Sequence, residues 1–152
     1  MFRYRELFNA ALGWLYKTVC AVNLLGSLRQ NMKTVFILED EVGIQEVLEL
    51  LLSSQNYNVV TFSTVKEFNC REMAVQPDLF MLDVMLPDGL GTEVCRELKC
   101  DPITSKVPVL LMSAHAKIIK TDDPHSADDF MSKPFDINDV ISKVDKLTAL
   151  QA

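Results

Sequence analysis

The feature that most narrows what this chain can fold into is a repeated alternation, from Met32 onward, of short apolar runs with amphipathic stretches. That is the pattern of strands interleaved with helices in a parallel sheet. The runs are Thr34 to Leu38, Asn58 to Phe62, Leu79 to Leu82, Val109 to Met112 and Phe130 to Ser132. The third has no polar residue at alternate positions, as a strand covered on both faces requires. With 152 residues, 49% of them hydrophobic, the chain can bury one core and is too short for two ordinary domains.

The stretches between the runs predict helices. Ile44, Val47, Leu48, Leu51 and Leu52 recur at i, i+3, i+4, i+7 and i+8 and predict one buried helix face. Thr64 with Glu67 forms a capping-box start to a weaker helix around Val65, Phe68 and Met73, which should stop before Pro77. A Pro/Gly-rich loop from Met85 to Gly91 follows the third run, and a modest helix over Thr92 to Lys99 follows the loop. Pro108 opens the fourth run, and the fifth ends at Lys133-Pro134. Asp136 then caps a last helix whose inner face is Ile137, Val140, Ile141, Val144 and Leu147. The expected fold is α/β, a doubly wound (βα)5 sheet of the flavodoxin-like kind with five parallel strands in the order 2-1-3-4-5. Ligands of such sheets sit outside the carboxyl ends of the strands at the topological switch, here between the first and third strands.

The residues at that address carry chemistry. Glu39-Asp40-Glu41 ends the first strand, Asp83 the third, Ser113 the fourth and Lys133 the fifth. Crowded carboxylates raise one another's pKa, a cost removed by protonation or by a hard cation that takes oxygen ligands. Mg²⁺ fits best, with Asp40 and Asp83 as direct ligands and Glu39 as an outer one. A carboxylate attacking a phosphoryl group makes an acyl phosphate, whose equatorial oxygens need positive charge and hydrogen-bond donors. The cation, Lys133 and the Ser113 hydroxyl supply them. Taken singly, an acidic strand end is a solvated face, a Ser after a strand a turn or cap, and a Lys-Pro a loop. Their occurrence in this order, each ending a different apolar run, points to one site.

Charge divides the chain. Residues 1–31 hold four Lys/Arg against one Glu, whereas residues 32–152 hold eleven against twenty Asp/Glu. The acidic segment argues against direct nucleic-acid binding, since a phosphate backbone is held chiefly by Lys and Arg. Cys20, Cys70, Cys95 and Cys100 form no CxxC pair and have no His at zinc-ligand spacing, so they read as reduced, mostly packing residues of a cytoplasmic protein. His115 and His125 read as solvated side chains rather than a metal pair. Residues 1–31 are an amino-terminal extension with no place in the (βα)5 pattern. Leu7 to Leu28 is mostly apolar, but Asn9, Lys17, Thr18, Asn23 and Ser27 interrupt it and weigh against a signal peptide or anchor. An amphipathic helix docking on a partner, a dimer mate or a membrane surface is one reading. The preferred one is that Met32 is the true start.

Four segments, VFILEDE (35–41), DLFMLDVMLPDGLG (78–91), LLMSAH (110–115) and DDFMSKPF (128–135), resemble in order and spacing the signature motifs of the receiver domain of two-component response regulators. The resemblance covers essentially all of residues 32–150, and 32–152 is taken as the domain. It implies that Asp83 is the phosphoacceptor, that Glu39 and Asp40 are the acidic pair, and that the Met85 backbone carbonyl is a third protein ligand for Mg²⁺. It further implies that Ser113 and Phe130 are the switch hydroxyl and aromatic. Lys133 would pair with the phosphoryl oxygens, and the Lys133-Pro134 bond would be cis. Such a domain is a signalling module and not an enzyme, although it takes part in its own phosphorylation and dephosphorylation. Its phosphodonor would be a sensor histidine kinase or a histidine phosphotransfer protein in a phosphorelay. Its output would be binding to a downstream target protein, with a phosphorylation-dependent dimer as a further expectation.

With a first strand from Thr34 and a last helix ending near Ala149, a stand-alone receiver without an output domain is expected. Glu39 departs from the commoner Asp but keeps the charge, so metal binding should survive. The stretch between Ser113 and Lys133 is shorter than usual and carries Pro124, which predicts a short or poorly formed helix there. Met85 and His115 stand where the family tunes dephosphorylation. Two rival readings are weaker. A dehalogenase-like Mg²⁺-dependent phosphohydrolase needs a second Asp two residues after the nucleophile, where Met85 stands. A degenerate receiver acting as an unphosphorylated interaction module is opposed by the presence of every site residue type.

Overall fold

The structure, a computed structural model, describes residues 32–114 and 126–149. Their elements are β1 (Thr34–Leu38), α1 (Val42–Ser54), β2 (Asn58–Phe62), α2 (Val65–Asn69), β3 (Leu79–Asp83), β4 (Met85–Leu86), β5 (Gly89–Leu90), α3 (Gly91–Cys100), β6 (Val109–Ser113), β7 (Asp129–Ser132) and α4 (Ile137–Ala149). Five parallel strands form one sheet in the order β2-β1-β3-β6-β7. With β6 and β7 as the fourth and fifth strands of the repeat, this is the order 2-1-3-4-5. The addition is the antiparallel hairpin β4-β5 inside the loop after β3, pairing Met85 with Leu90 and Leu86 with Gly89.

Period-two alternation along the strands divides the core into two layers. Val35, Ile37, Leu79, Met81, Leu110 and Met112 pack with Leu48 and Leu52 of α1 and with Val140, Val144 and Leu147 of α4. Phe36, Leu38, Phe80, Leu82, Val109 and Leu111 pack on the other face with Phe68 of α2 and with Val94, Cys95 and Leu98 of α3. Every residue of β3 is buried, which explains its unbroken apolar run. Phe36, Phe62, Phe68 and Phe80 stack edge to face at centroid distances of 5.2 to 6.0 Å, favourable by about 0.5–1.5 kcal/mol per pair beyond the area they bury.

Several helix positions differ from the periodicity. Val47 is 51% exposed, while Leu48 and Leu52 are fully buried and Ile44 and Leu51 partly so. The inward arc of α1 centres on Leu48 and Leu52, and Val47 lies about 120° from its middle at 100° per residue. The helix expected to run on past Met73 is only Val65–Asn69, and Met73 is exposed. Had the helix continued, Met73, five residues after Phe68, would have stood about 140° off its face. The Arg71 guanidinium meanwhile folds back over the Phe68 ring at 4.4 Å and donates to the Phe68 carbonyl at 3.0 Å. Asp136 does accept from the Asn138 N–H at 2.7 Å, yet Ile137 points outward at 54% exposure in that first turn. At the other end of α4 the buried Thr148 joins the face, its hydroxyl 3.1 Å from the Tyr57 hydroxyl. Of the described cysteines, only Cys95 packs in the core, and Cys70 and Cys100 are exposed, contrary to the expectation of mostly packing residues.

The Lys133-Pro134 bond is cis, as the resemblance implies. Among the described residues no helix is long and apolar enough to cross a membrane. The readings of residues 1–31, of His115, Pro124 and His125, and of the helix after β6 lie outside the described residues.

Candidate functional site

Parallel strands deliver their carboxyl ends to one side of the sheet, and the register here is close enough to bring the end residues together. Leu38 stands beside Leu82, so Glu39 follows beside Asp83, and Ser113 stands beside Ser132, so Lys133 follows at the same level. Backbone bonds carry the ladder past the strands: Glu39 N–H to the Phe62 carbonyl at 3.0 Å, Val84 N–H to Met112 at 2.9 Å and Lys133 N–H to Ser113 at 2.8 Å. Glu39, Asp83 and Ser113 are buried, and Asp40 is exposed at the mouth. One carboxylate oxygen each from Glu39, Asp40 and Asp83 lie within 4.8 Å of one another.

Lys133 joins the cluster. Its ammonium stands 2.7 Å from Glu39 Oε2 and 3.3 Å from Asp83 Oδ1. Burial pushes the Glu39 carboxyl above its ordinary range, Lys133 opposing this and the Asp83 charge adding to it. Asp83 is raised for the same first reason, against Lys133 and the backbone N–H groups of Val84 and Met85. Burial by itself would lower the Lys133 ammonium, but the bond to Glu39 and the charges of Glu39 and Asp83 raise it instead. Three carboxylates against one ammonium leave excess negative charge in hard oxygen donors. Glu39 Oε2, fully buried, has no partner besides that ammonium among the described residues. This donor set fits a hard divalent cation.

The structure thus brings Glu39, Asp40, Asp83 and Lys133 together and sets Ser113 at the end of the neighbouring strand. Met85 lies at the start of the hairpin, 64% exposed. Phe130 is half-buried on β7 beside Leu111, against the core layer of α2 and α3. Three residues of the surroundings escaped the sequence reading. A Cβ built on Gly91 would sit 1.9 Å from the Asp83 carbonyl oxygen, so only glycine allows α3 to start against the end of β3. Asp88, in the hairpin turn, accepts from the Val65 and Lys66 N–H groups at 2.9 Å each. Gln45, on the inward side of α1, donates to the Glu39 carbonyl and to the Ser63 hydroxyl, the latter at 3.1 Å. The second Gly of the loop is the one signal that could have found Gly91. No periodicity marks the other two.

The profile of the response regulator receiver domain matches residues 35–145. Over 116 residues the chain is 33% identical to the DNA-binding dual master transcriptional regulator RpaA of Synechocystis, an alignment covering 74% of this chain and 48% of that protein. The chain spans about half the length of the curated relatives it matches. Among solved structures, the response regulator TrrA of Thermotoga maritima, determined in complex with Mg²⁺-BeF, superposes with a TM-score of 0.68 at 26% identity, covering 76% of this chain and 99% of that one. The signal receiver domain of a signal transduction histidine kinase from Syntrophus aciditrophicus gives 0.67 at 27% identity, covering 77% and 90%. With the five-strand order and the acidic cluster at the strand ends, these matches lead to one conclusion: the chain belongs to the response regulator receiver domain family.

Proposed function

We propose that this domain accepts a phosphoryl group on Asp83 and passes the signal on by changing its protein contacts. The observation that carries the reading is the Lys133 ammonium, 3.3 Å from Asp83 Oδ1 inside a cluster of acids of which Glu39 and Asp83 are buried. An Asp83 carboxylate oxygen attacks the phosphorus of a phosphohistidine on a sensor kinase or phosphotransfer protein. A P–O bond forms, the P–N bond breaks, and the imidazole leaves. Lys133 moves from the Asp83 carboxylate toward the phosphoryl oxygens, and the Ser113 hydroxyl donates to one of them. Glu39, Asp40, Asp83 and the Met85 carbonyl would hold Mg²⁺, which when bound neutralises charge on the transferring group. The Mg²⁺-BeF complex of TrrA supports this assignment by likeness.

The readout follows from the strand ends. Drawn to a phosphoryl oxygen, Ser113 vacates space behind β6, and Phe130 turns into it from its half-buried place on β7. Phe has no hydroxyl, so burial of ring area favours the inward state. The surface around β7 and α4 then meets a target protein or a second copy. A phosphohistidine donor makes the cytoplasm the working compartment. The acidic balance of residues 32–152 speaks against nucleic acid as their direct partner, and the DNA binding named for RpaA belongs to a chain of which this one spans 48%. The test is intact-protein mass after incubation with acetyl phosphate and Mg²⁺. One acid-stable, base-labile phosphoryl group is expected on the parent and none on Asp83→Asn. Equal labelling of the variant would refute the assignment.

A further inference from the structure

The acids of the site come from two segments far apart in sequence, the end of β1 and the end of β3, and a chain of hydrogen bonds outside the site joins the first of them to the hairpin that follows the second. It starts at the Glu39 carbonyl, which accepts from the Gln45 side-chain amide. The same amide reaches the Phe62 carbonyl at 3.3 Å and the Ser63 hydroxyl at 3.1 Å, tying α1 to the turn after β2. Glu67 continues the path, its carboxylate accepting from the Ser63 N–H at 2.8 Å while its own N–H donates to the Thr64 hydroxyl at 3.1 Å. The first turn of α2 then gives two N–H groups to the Asp88 carboxylate, one to each oxygen. Asp88 sits in the hairpin turn, where a Cβ on Gly89 would meet Val65 at 3.2 Å, so the tip is seated on α2. The hairpin returns to the site at its base, where the Gly91 N–H bonds the Val84 carbonyl at 3.0 Å.

We infer that Gln45 and Asp88 are positioning residues that brace the acidic pair and the Asp83–Met85 segment at the spacing a divalent cation requires, although neither touches the cation. The inference rests on the proposed cation site. Its physical content is a loss of preorganisation: without Asp88 the hairpin keeps its sequence and every ligand but is no longer fastened to α2. Without Gln45 the Glu39 backbone keeps its strand bond to Phe62 but loses its tie to the following turn. The ligand atoms then spread over a wider range of separations, and closing them around an ion costs free energy that the braced site has already met on folding. Bracing of this kind moves affinity without changing ligand count.

The experiment is calorimetric titration of Mg²⁺ alone into the parent, Asp83→Asn, Asp88→Ala, Asp88→Asn, Gln45→Leu and Tyr57→Phe. It is run where circular dichroism shows each to be folded. Tyr57 bonds Asp145 at 2.6 Å far from the hairpin, so Tyr57→Phe serves as a purely structural control. Asp88→Ala and Gln45→Leu are each expected to weaken binding roughly fivefold. Asp88→Asn, keeping one acceptor oxygen, should weaken it less, and Tyr57→Phe should lower the melting temperature with Mg²⁺ affinity unchanged. Parent-like affinity in Asp88→Ala and Gln45→Leu overturns the brace, as does an equal loss in Tyr57→Phe. Should Asp88→Ala not fold, Asp88→Asn decides, and parent-like affinity there counts against the inference. Parent binding that survives Asp83→Asn unchanged refutes the cation site, and the brace with it.

Discussion

Replacing Lys133 with Met tests the electrostatics of the site. The change removes the only cation within ion-pair distance of Glu39 and Asp83 among the described residues and keeps most of the apolar stem. Losing one partner of a buried ion pair costs about 3–5 kcal/mol when the remaining charge has no other relief. Here protonation sets a ceiling. A carboxyl with an ordinary value of 4.5, as for Glu39, costs about 3.4 kcal/mol to protonate at pH 7, at 1.36 kcal/mol per unit. The expected loss is therefore roughly 2–3 kcal/mol at pH 7 without divalent cation.

The sign of its pH dependence follows from the raised carboxyls. A group whose pKa is higher in the folded than in the unfolded state contributes stability that is present below its unfolded value and lost as pH rises through the folded one. Glu39 and Asp83 are both raised by burial, and losing Lys133 raises them further. The variant's deficit should thus shrink on acidification from pH 7 toward pH 5. Asp88, lowered by the Lys66 and Val65 N–H groups, has the opposite dependence in both proteins and cancels in the difference. Urea unfolding of parent and variant across that range provides the measurement. A deficit that stays constant or widens as pH falls would refute the argument.

Gly91→Ala places a Cβ 1.9 Å from a backbone oxygen, so α3 or β3 must move by more than an ångström. A loss of about 3 kcal/mol is expected from urea midpoints, and a loss under about 1 kcal/mol would show that the close approach is relaxed. Leu48→Ala should cost about 3 kcal/mol and Val47→Ala under about 1 kcal/mol, because Leu48 is fully buried and Val47 is 51% exposed. Similar losses for both would mean that the inward arc of α1 is wrongly placed. Amide hydrogen exchange with beryllofluoride and Mg²⁺ should change most around β7 and α4 and respond less in Ser113→Ala. An undiminished response in that variant would remove Ser113 from the switch.

Periodicity and strand-end chemistry made legible from the sequence alone the strand order, the cluster of Glu39, Asp40, Asp83 and Lys133, and the place of Ser113 at the end of the neighbouring strand. All rest on local information: an apolar run announces a strand buried on both faces, a parallel sheet sends all its carboxyl ends one way, and the residue after each run must lie there. The same local information could not rank the apolar positions within a helix. Val47 and Ile137 satisfy a spacing rule but point away from the sheet, since the direction of a helix face is set by what the helix packs on, and Met73 lies beyond the end of α2 altogether. Nor could it reveal contacts between residues far apart in sequence that follow no period. Glu39 takes Lys133 as its counterion across the crevice, and Asp88 fastens its hairpin to the first turn of α2, 22 and 23 residues away. Gln45 ties the backbone of the acidic pair to the turn after β2. The chain by itself determined which side chains reach the strand ends. Only the tertiary structure decided how closely they are held, because their separations depend on hydrogen bonds between elements that meet only after the sheet has assembled.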